Sequence, residues 1–243
     1  MKNLKNYCTI IIAFLAMTTF AQAQTVDTII AKYLEATGGL DKWEGIDSYV
    51  VKHSYKANAA TDFDEEVNVS VKNKQLSRKK TILQRDFFYV VDGKEGWLKI
   101  PMGSRDKAVT YTTKDLSDKE AADLADEIKT GLLPFVNYGE KGFTANYVGE
   151  KVIEGKKTDQ INLVKNTLKL EYYFDKETGL LNREVSTDNG VTNTIDHITY
   201  STSKKGIKYP SVSVFVNSKD KKKTNLTTEW VFNSEIPAAL FIK

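Results

Sequence analysis

The chain has 243 residues, 41% hydrophobic and 28% charged, with a formal net charge of +3. Its 35 Lys+Arg against 32 Asp+Glu leave no charge excess with which to hold nucleic acid or an anionic membrane as the main partner. The single cysteine, Cys8, excludes intramolecular disulfide staples and thiolate metal clusters.

Residues 1–23 read as an export signal. Lys2 and Lys5 give a positive start, Thr9 to Phe20 an apolar run, and Ala21-Gln22-Ala23 a small-x-small cleavage site. Twelve residues cannot cross roughly 30 Å of hydrocarbon, which takes about 20 in a helix. Cys8 lies at the front of the apolar run instead of the cleavage point, so it is not placed for lipid attachment. Removing 23 of the 243 residues leaves 220, from Gln24 onward, with no cysteine and 33 basic against 32 acidic side chains. A chain of that size buries about 70% of its unfolded surface, enough for one core. The expectation is one soluble, monomeric periplasmic domain over residues 24–243.

Thr25 is a plausible helix cap, and Val26, Ile29, Ile30, Tyr33 and Leu34 follow at one-face helical spacing. Gly38-Gly39 ends that helix, and Leu40, Trp43 and Ile46 suit a short second turn. Ser48 to Lys56 alternates as a strand, with Tyr49, Val51, His53 and Tyr55 on one face. In Phe63 to Val71 the residues Phe63, Val67, Val69 and Val71 face inward, leaving Asp64, Glu66, Asn68 and Ser70 for water. Gln75 to Arg85 is more polar and reads as exposed.

Phe87 to Pro101 is different. Phe87, Tyr89 and Val91 fall on one side of an extended segment and Phe88 and Val90 on the other, so this strand needs cover on both faces. Asp92 to Gly96 supply a hairpin turn, Trp97-Leu98-Lys99-Ile100 return, and Pro101 is the expected stop.

Ser117 and Glu120 form a capping-box pattern, followed by an apolar stripe of Ala121, Leu124, Ala125, Ile128 and Leu132, with Gly131 and Pro134 as its end. Leu132-Leu133-Pro134-Phe135-Val136 is then a dense apolar patch on a loop, either a ligand contact or ordinary core. From Phe143 onward, Gly149, Glu154-Gly155, Asp175 to Gly179, Asn189-Gly190, Lys205-Gly206 and Asn217 to Asp220 punctuate an antiparallel meander. The lysines of Lys219 to Lys223 suit a solvated hairpin tip, and Pro210 implies an edge or a bulge.

Little in the sequence suggests bond-breaking chemistry. His53 and His197 lie in strands without neighbours at metal-ligand spacing and read as structural. There is no Gly-x-Ser-x-Gly elbow and no phosphate-cradling loop, and Glu65-Glu66 or Asp62 with Asp64 suit a wet strand face. No catalytic residue, metal or cofactor is assigned.

Several stretches, taken in order, resemble the LolA-like superfamily of outer-membrane lipoprotein-sorting and lipoprotein-carrier proteins. They are IIAKYLEATGGLDKWEGIDS at 29–48, YVVDGKEGWLKIP at 89–101, the segment 132–163, LEYYFDKETGLLNREV at 170–185 and NSEIPAALF at 233–241. The resemblance implies an α+β, mostly antiparallel fold: an incomplete, strongly curved β-barrel closed by helices around an apolar cavity for acyl chains. It implies lipid or lipoprotein acyl chains as ligands, with inner- and outer-membrane partner proteins. Carriers of this kind use an arginine to hold the lid shut, but no motif fixes Arg78 or Arg85 as its match. The candidate cavity or lid residues are Tyr89, Trp97, Leu133 and Phe135, with plain core as the alternative for each. Phe135→Glu is expected to weaken lipid uptake without unfolding the domain. A competing expectation is an envelope scaffold with a filled interior that binds a protein or polysaccharide through its surface.

Overall fold

The computed structural model describes residues 25–57, 60, 62–103 and 108–243. The expected signal segment, Cys8 and Gln24 lie outside the described residues. Helix α1 covers residues 25–36, so Thr25 already belongs to its first turn and is not outside it as a cap. Val26, Ile30, Tyr33 and Leu34 are buried as their spacing predicts. The helix stops where Gly38 takes φ +124° and Gly39 takes φ +96°, conformations that side chains resist. The Gly39 amide closes the end on the Leu34 carbonyl at 2.8 Å. A Cβ on Gly38 would stand 2.7 Å from the Gly206 carbonyl oxygen, so this glycine also lets two backbones meet. Helix α2, Leu40–Glu44, then buries Trp43 edge-on to Phe232, with its indole donating to the Thr37 hydroxyl at 3.0 Å.

Among the described residues thirteen strands follow, all antiparallel to their neighbours. They are β1 (Ser48–Lys56), β2 (Phe63–Ser70), β3 (Gln75–Ile82), β4 (Arg85–Asp92), β5 (Glu95–Met102) and β6 (Thr110–Asp115), and, after helix α3 (Asp118–Thr130), β7 (Thr144–Ile153), β8 (Lys156–Lys165), β9 (Leu168–Asp175), β10 (Leu181–Asp188), β11 (Val191–Thr202), β12 (Lys208–Asn217) and β13 (Lys223–Phe232). They form one sheet in the order β6-β5-β4-β3-β2-β1-β13-β12-β11-β10-β9-β8-β7. The chain thus makes two meanders joined where the first strand pairs with the last, and β6 and β7 are left as the two edges. The sheet is curved, because His53 and Tyr55 of β1 share a cavity with Tyr172 of β9 and Glu184 of β10, five and four places along the strand order.

The hairpin with two greasy faces has two covers. On one face α3 packs on β3, β4 and β5. Asp92 pairs with Glu95, so the turn is only Gly93-Lys94, and Gly96 is a strand residue under the helix. A Cβ there would lie 2.9 Å from Ala121 Cβ and 3.1 Å from Leu116 Cδ1. Gly96→Val is therefore expected to push α3 outward and cost about 1–3 kcal/mol by overpacking, read as a lower urea midpoint. An unchanged midpoint would mean that the helix is not seated there.

On the other face the C-terminal segment crosses the sheet. Ser48 Oγ donates to the Ser234 carbonyl at 2.6 Å, Lys99 Nζ donates to the Ile242 carbonyl at 2.6 Å, and Lys243 pairs with Asp115. Phe241 of the 3-10 turn Ala238–Phe241 packs with Val90 and Trp97, flanked by Phe88, Ile236 and Leu240. Val50, Asn68, Ser77, Val90 and Trp97 form one cross-strand row on this face. The cover explains why Asn68, Ser70 and Ser77 are buried and not wet. Leu76 of β3 is buried too instead of lying exposed, but on the other face, in the main core with Val69 and Val91.

Two punctuation signals also read differently in the structure, and one turn was not anticipated. Pro101 does not stop β5: by that point the strand has left β4 and pairs only with β6, so the missing N–H breaks no bond to β4. Gly149 is not a turn but sits at a register shift inside β7 with φ +125°. An unanticipated turn at Asn166, φ +54°, joins β8 to β9. Pro210 does fall beside register shifts in β11 and outside the β12–β13 pairing, which starts at Val212.

Candidate functional site

Ser117 caps α3 through the capping box with Glu120, and the helix ends at Gly131, where a Cβ would meet Glu127 O at 2.8 Å and Tyr49 Oη at 3.1 Å. The chain then turns inward. Phe135 is 2% exposed and meets Tyr33, Tyr172 and Phe174 edge-on at centroid distances of 5.2, 5.0 and 5.4 Å. This aromatic cage pins the loop to α1 and β9. Lys141 Nζ donates to the Leu133 carbonyl at 2.6 Å, and burial lowers the Lys141 pKa to about 8.

Below that loop is a cavity of about 290 Å³. Leu133, Phe135, Leu181, Ile195, Leu226 and Trp230 give it an apolar side. His53, Glu184, His197, Ser213 and Thr228 give it a polar one, so the expected apolar lumen is corrected to an amphipathic one. Of the four sequence candidates, Leu133 and Phe135 line this cavity. Tyr89 is half-buried and packs against the main core without lining it, and Trp97 lies on the opposite face of the sheet with Phe241.

The polar wall was missed. His53 was legible as inward-facing, since it alternates with Tyr49, Val51 and Tyr55, and it bonds Thr228 Oγ1 through Nδ1 at 3.0 Å. His197 Nδ1 lies 2.9 Å from Ser213 Oγ across the β11–β12 pair. Its Nε2 has no hydrogen-bond partner among the described residues and stands 3.5 Å from Glu184 Oε1. Nothing in Asn182-Arg183-Glu184-Val185 marks that glutamate as internal. Its side chain keeps 35% of its surface uncovered while lining the cavity, so that surface faces the void.

Burial sets the charge state of this wall. It raises the Glu184 pKa to about 7 and lowers His53 and His197 to about 4 each, with Arg78 adding to the effect on His53. The folded state holds the Glu184 proton more tightly than the unfolded chain, so stability falls as pH rises from 4.5 through about 7. The histidines act oppositely: stability falls as pH drops from 6.5 through about 4. Glu184→Gln in the ligand-free protein is expected to leave the urea midpoint unchanged at pH 4.5. At pH 8 it should gain on the order of 1 kcal/mol, a figure discounted for the surface facing the void. Equal stability at pH 8 would contradict a buried carboxyl.

A second polar group ties α3 to the sheet. Arg78 of β3 forms a fork on Glu127 of α3, and its Nε lies 3.4 Å from Glu65 Oε1 on β2.

No protein-family model and no curated protein matches the sequence. Solved structures do show similarity. A DUF1329 family protein from Desulfovibrio piger aligns at 10% identity over 89% of this chain and 95% of its own, with a TM-score of 0.48. A domain named for outer membrane lipoprotein sorting, from Vibrio parahaemolyticus, aligns at 13% identity over 91% and 96%, TM-score 0.45. The lipoprotein LppX of Mycobacterium tuberculosis aligns at 12% identity over 87% and 98%, TM-score 0.33.

Proposed function

We propose that this is an exported, non-catalytic carrier or binder of lipid or lipoprotein acyl chains, a half-barrel whose helices close its concave side. The observation that carries this reading is the void of about 290 Å³ beneath the Leu133–Phe135 loop. A surface-binding scaffold would have its interior filled by side chains. Each acyl CH₂ taken from water contributes about 0.8 kcal/mol, so one chain is held by burial alone and released to a competitor without any bond being broken. The void lies just under the usual span of ligand pockets, about 300 to 1,000 Å³. That size suits a single chain.

The test is mass spectrometry of an organic extract of the protein purified from periplasm, together with uptake of N-phenyl-1-naphthylamine by the delipidated protein. Acyl species bound near one per protein, or saturable probe uptake, is the expected result. An extract free of acyl material combined with no probe uptake would contradict the proposal.

A further inference from the structure

A cavity built only to sequester hydrocarbon would be lined with hydrocarbon. This one places an imidazole and a carboxyl side by side in its wall. His197 has 4% of its side-chain surface exposed, its Nδ1 is taken by Ser213 Oγ at 2.9 Å, and its Nε2 has no hydrogen-bond partner among the described residues. Glu184 Oε1 stands 3.5 Å from that nitrogen and turns its uncovered surface to the void. A buried polar nitrogen without a hydrogen-bond partner is disfavoured and rare, so a polar group entering the cavity is favoured where it can bond to this nitrogen.

We infer that Glu184 and His197 form the docking point for the hydroxyl end of a single-chain amphiphile, a fatty alcohol or a molecule of monoacylglycerol type, whose tail lies against Leu133, Ile195 and Leu226. The inference rests on the acyl-binding reading and names the ligand class for the same cavity. A hydroxyl both donates and accepts, so one oxygen serves a ring nitrogen and a carboxyl together, whichever of the two holds the proton. An anionic head would find no cation to pair with, since the lining holds no lysine or arginine among the described residues and burial keeps His53 and His197 neutral. An ammonium head would have to shed its water in a cavity too small to carry a hydration shell, and a buried ion pair recovers that loss only with good geometry and further hydrogen bonds. The groups around Glu184 are Tyr33 of α1, Tyr172 of β9, Tyr200 of β11 and Tyr55 of β1, all phenols that burial keeps protonated. The wall therefore presents neutral hydrogen-bonding groups to its ligand.

The test is displacement of N-phenyl-1-naphthylamine from the delipidated protein by 1-dodecanol, dodecyl methyl ether, dodecanoate and dodecyltrimethylammonium at pH 6, in the wild type, Glu184→Met and His197→Phe. Near-UV circular dichroism confirms that each variant is folded. Dodecanol is expected to bind about 5–10-fold more tightly than the ether, the difference one hydrogen bond makes. That preference should shrink to about 2-fold or less in either folded variant. Equal binding of alcohol and ether, tighter binding of dodecanoate or of the ammonium, or a preference that survives both substitutions would overturn the inference while leaving the acyl-binding reading intact. Failure of the probe to bind at all, or of every amphiphile to displace it, would remove the acyl-binding reading and the inference with it. Should one variant fail to fold, the other carries the comparison.

Discussion

Phe135→Ala is expected to destabilise the domain by about 3–5 kcal/mol, the usual cost of removing a fully buried aromatic ring. Phe135 is buried against Tyr33, Tyr172 and Phe174, three rings supplied by α1 and β9. Its loss opens a gap at the point where the 131–136 loop is fixed, and those rings sit on rigid elements that cannot collapse into it. Urea denaturation should show the loss as a shifted midpoint with an unchanged slope. A loss under 1 kcal/mol would mean that the loop is not pinned by this ring. The same geometry revises the expectation for Phe135→Glu. A carboxylate inside that cage has no partner, so the variant should unfold and not merely lose uptake.

Arg78→Ala is expected to cost about 2–3 kcal/mol at pH 7, below the full penalty of breaking a buried pair because Arg78 and Glu127 are partly exposed. Two carboxylates then lose their cation: Glu127, which anchors α3, and Glu65, whose pKa burial already raises. Without Arg78 the Glu65 pKa rises further, so the folded variant takes up a proton more readily than the unfolded chain. The deficit should therefore shrink as pH falls from 7 to 5. A deficit independent of pH over that range would show that the loss comes from packing of the arginine stem and not from its charge. The fork also makes Arg78 one of two ionic links between the sheet and α3 among the described residues, the other being Lys165 of β8 on Asp126 at 2.6 Å, and the variant should admit N-phenyl-1-naphthylamine faster than the wild type.

Much of the fold was legible because strand alternation and turn chemistry are local. The capping box at Ser117 and Glu120, the glycine stop at 38–39 and the demand of Phe87–Val91 for cover on both sides were all readable from neighbouring residues. What failed was whatever depended on distant chain. Asn68 and Ser77 look like water-facing residues until the C-terminal segment, more than 150 positions away, crosses over them. Trp97 looked like a cavity residue because a tryptophan in a greasy hairpin has two faces to choose from. The structure gives that face to Phe241.

The candidate site was half legible for the same reason. Leu133 and Phe135 stood out as apolar residues on a loop, and burial is the simplest meaning of such residues. The polar wall did not stand out, since Glu184 and His197 lie on different strands and meet only through sheet pairing and curvature. A glutamate between Arg183 and Val185 carries no local sign that it faces inward. A structural role for His53 and His197 accounts for one ring nitrogen each, and it leaves His197 Nε2 unexplained.

The most direct measurement is a crystal structure of the delipidated protein soaked with 11-bromoundecanol, with the halogen located by its anomalous scattering. A bromine peak inside the cavity, within contact distance of Leu133, Ile195 or Leu226, is the expected result. Bromine found only on the outer surface of the sheet, with the cavity filled by rearranged side chains, would contradict the proposed acyl-binding cavity.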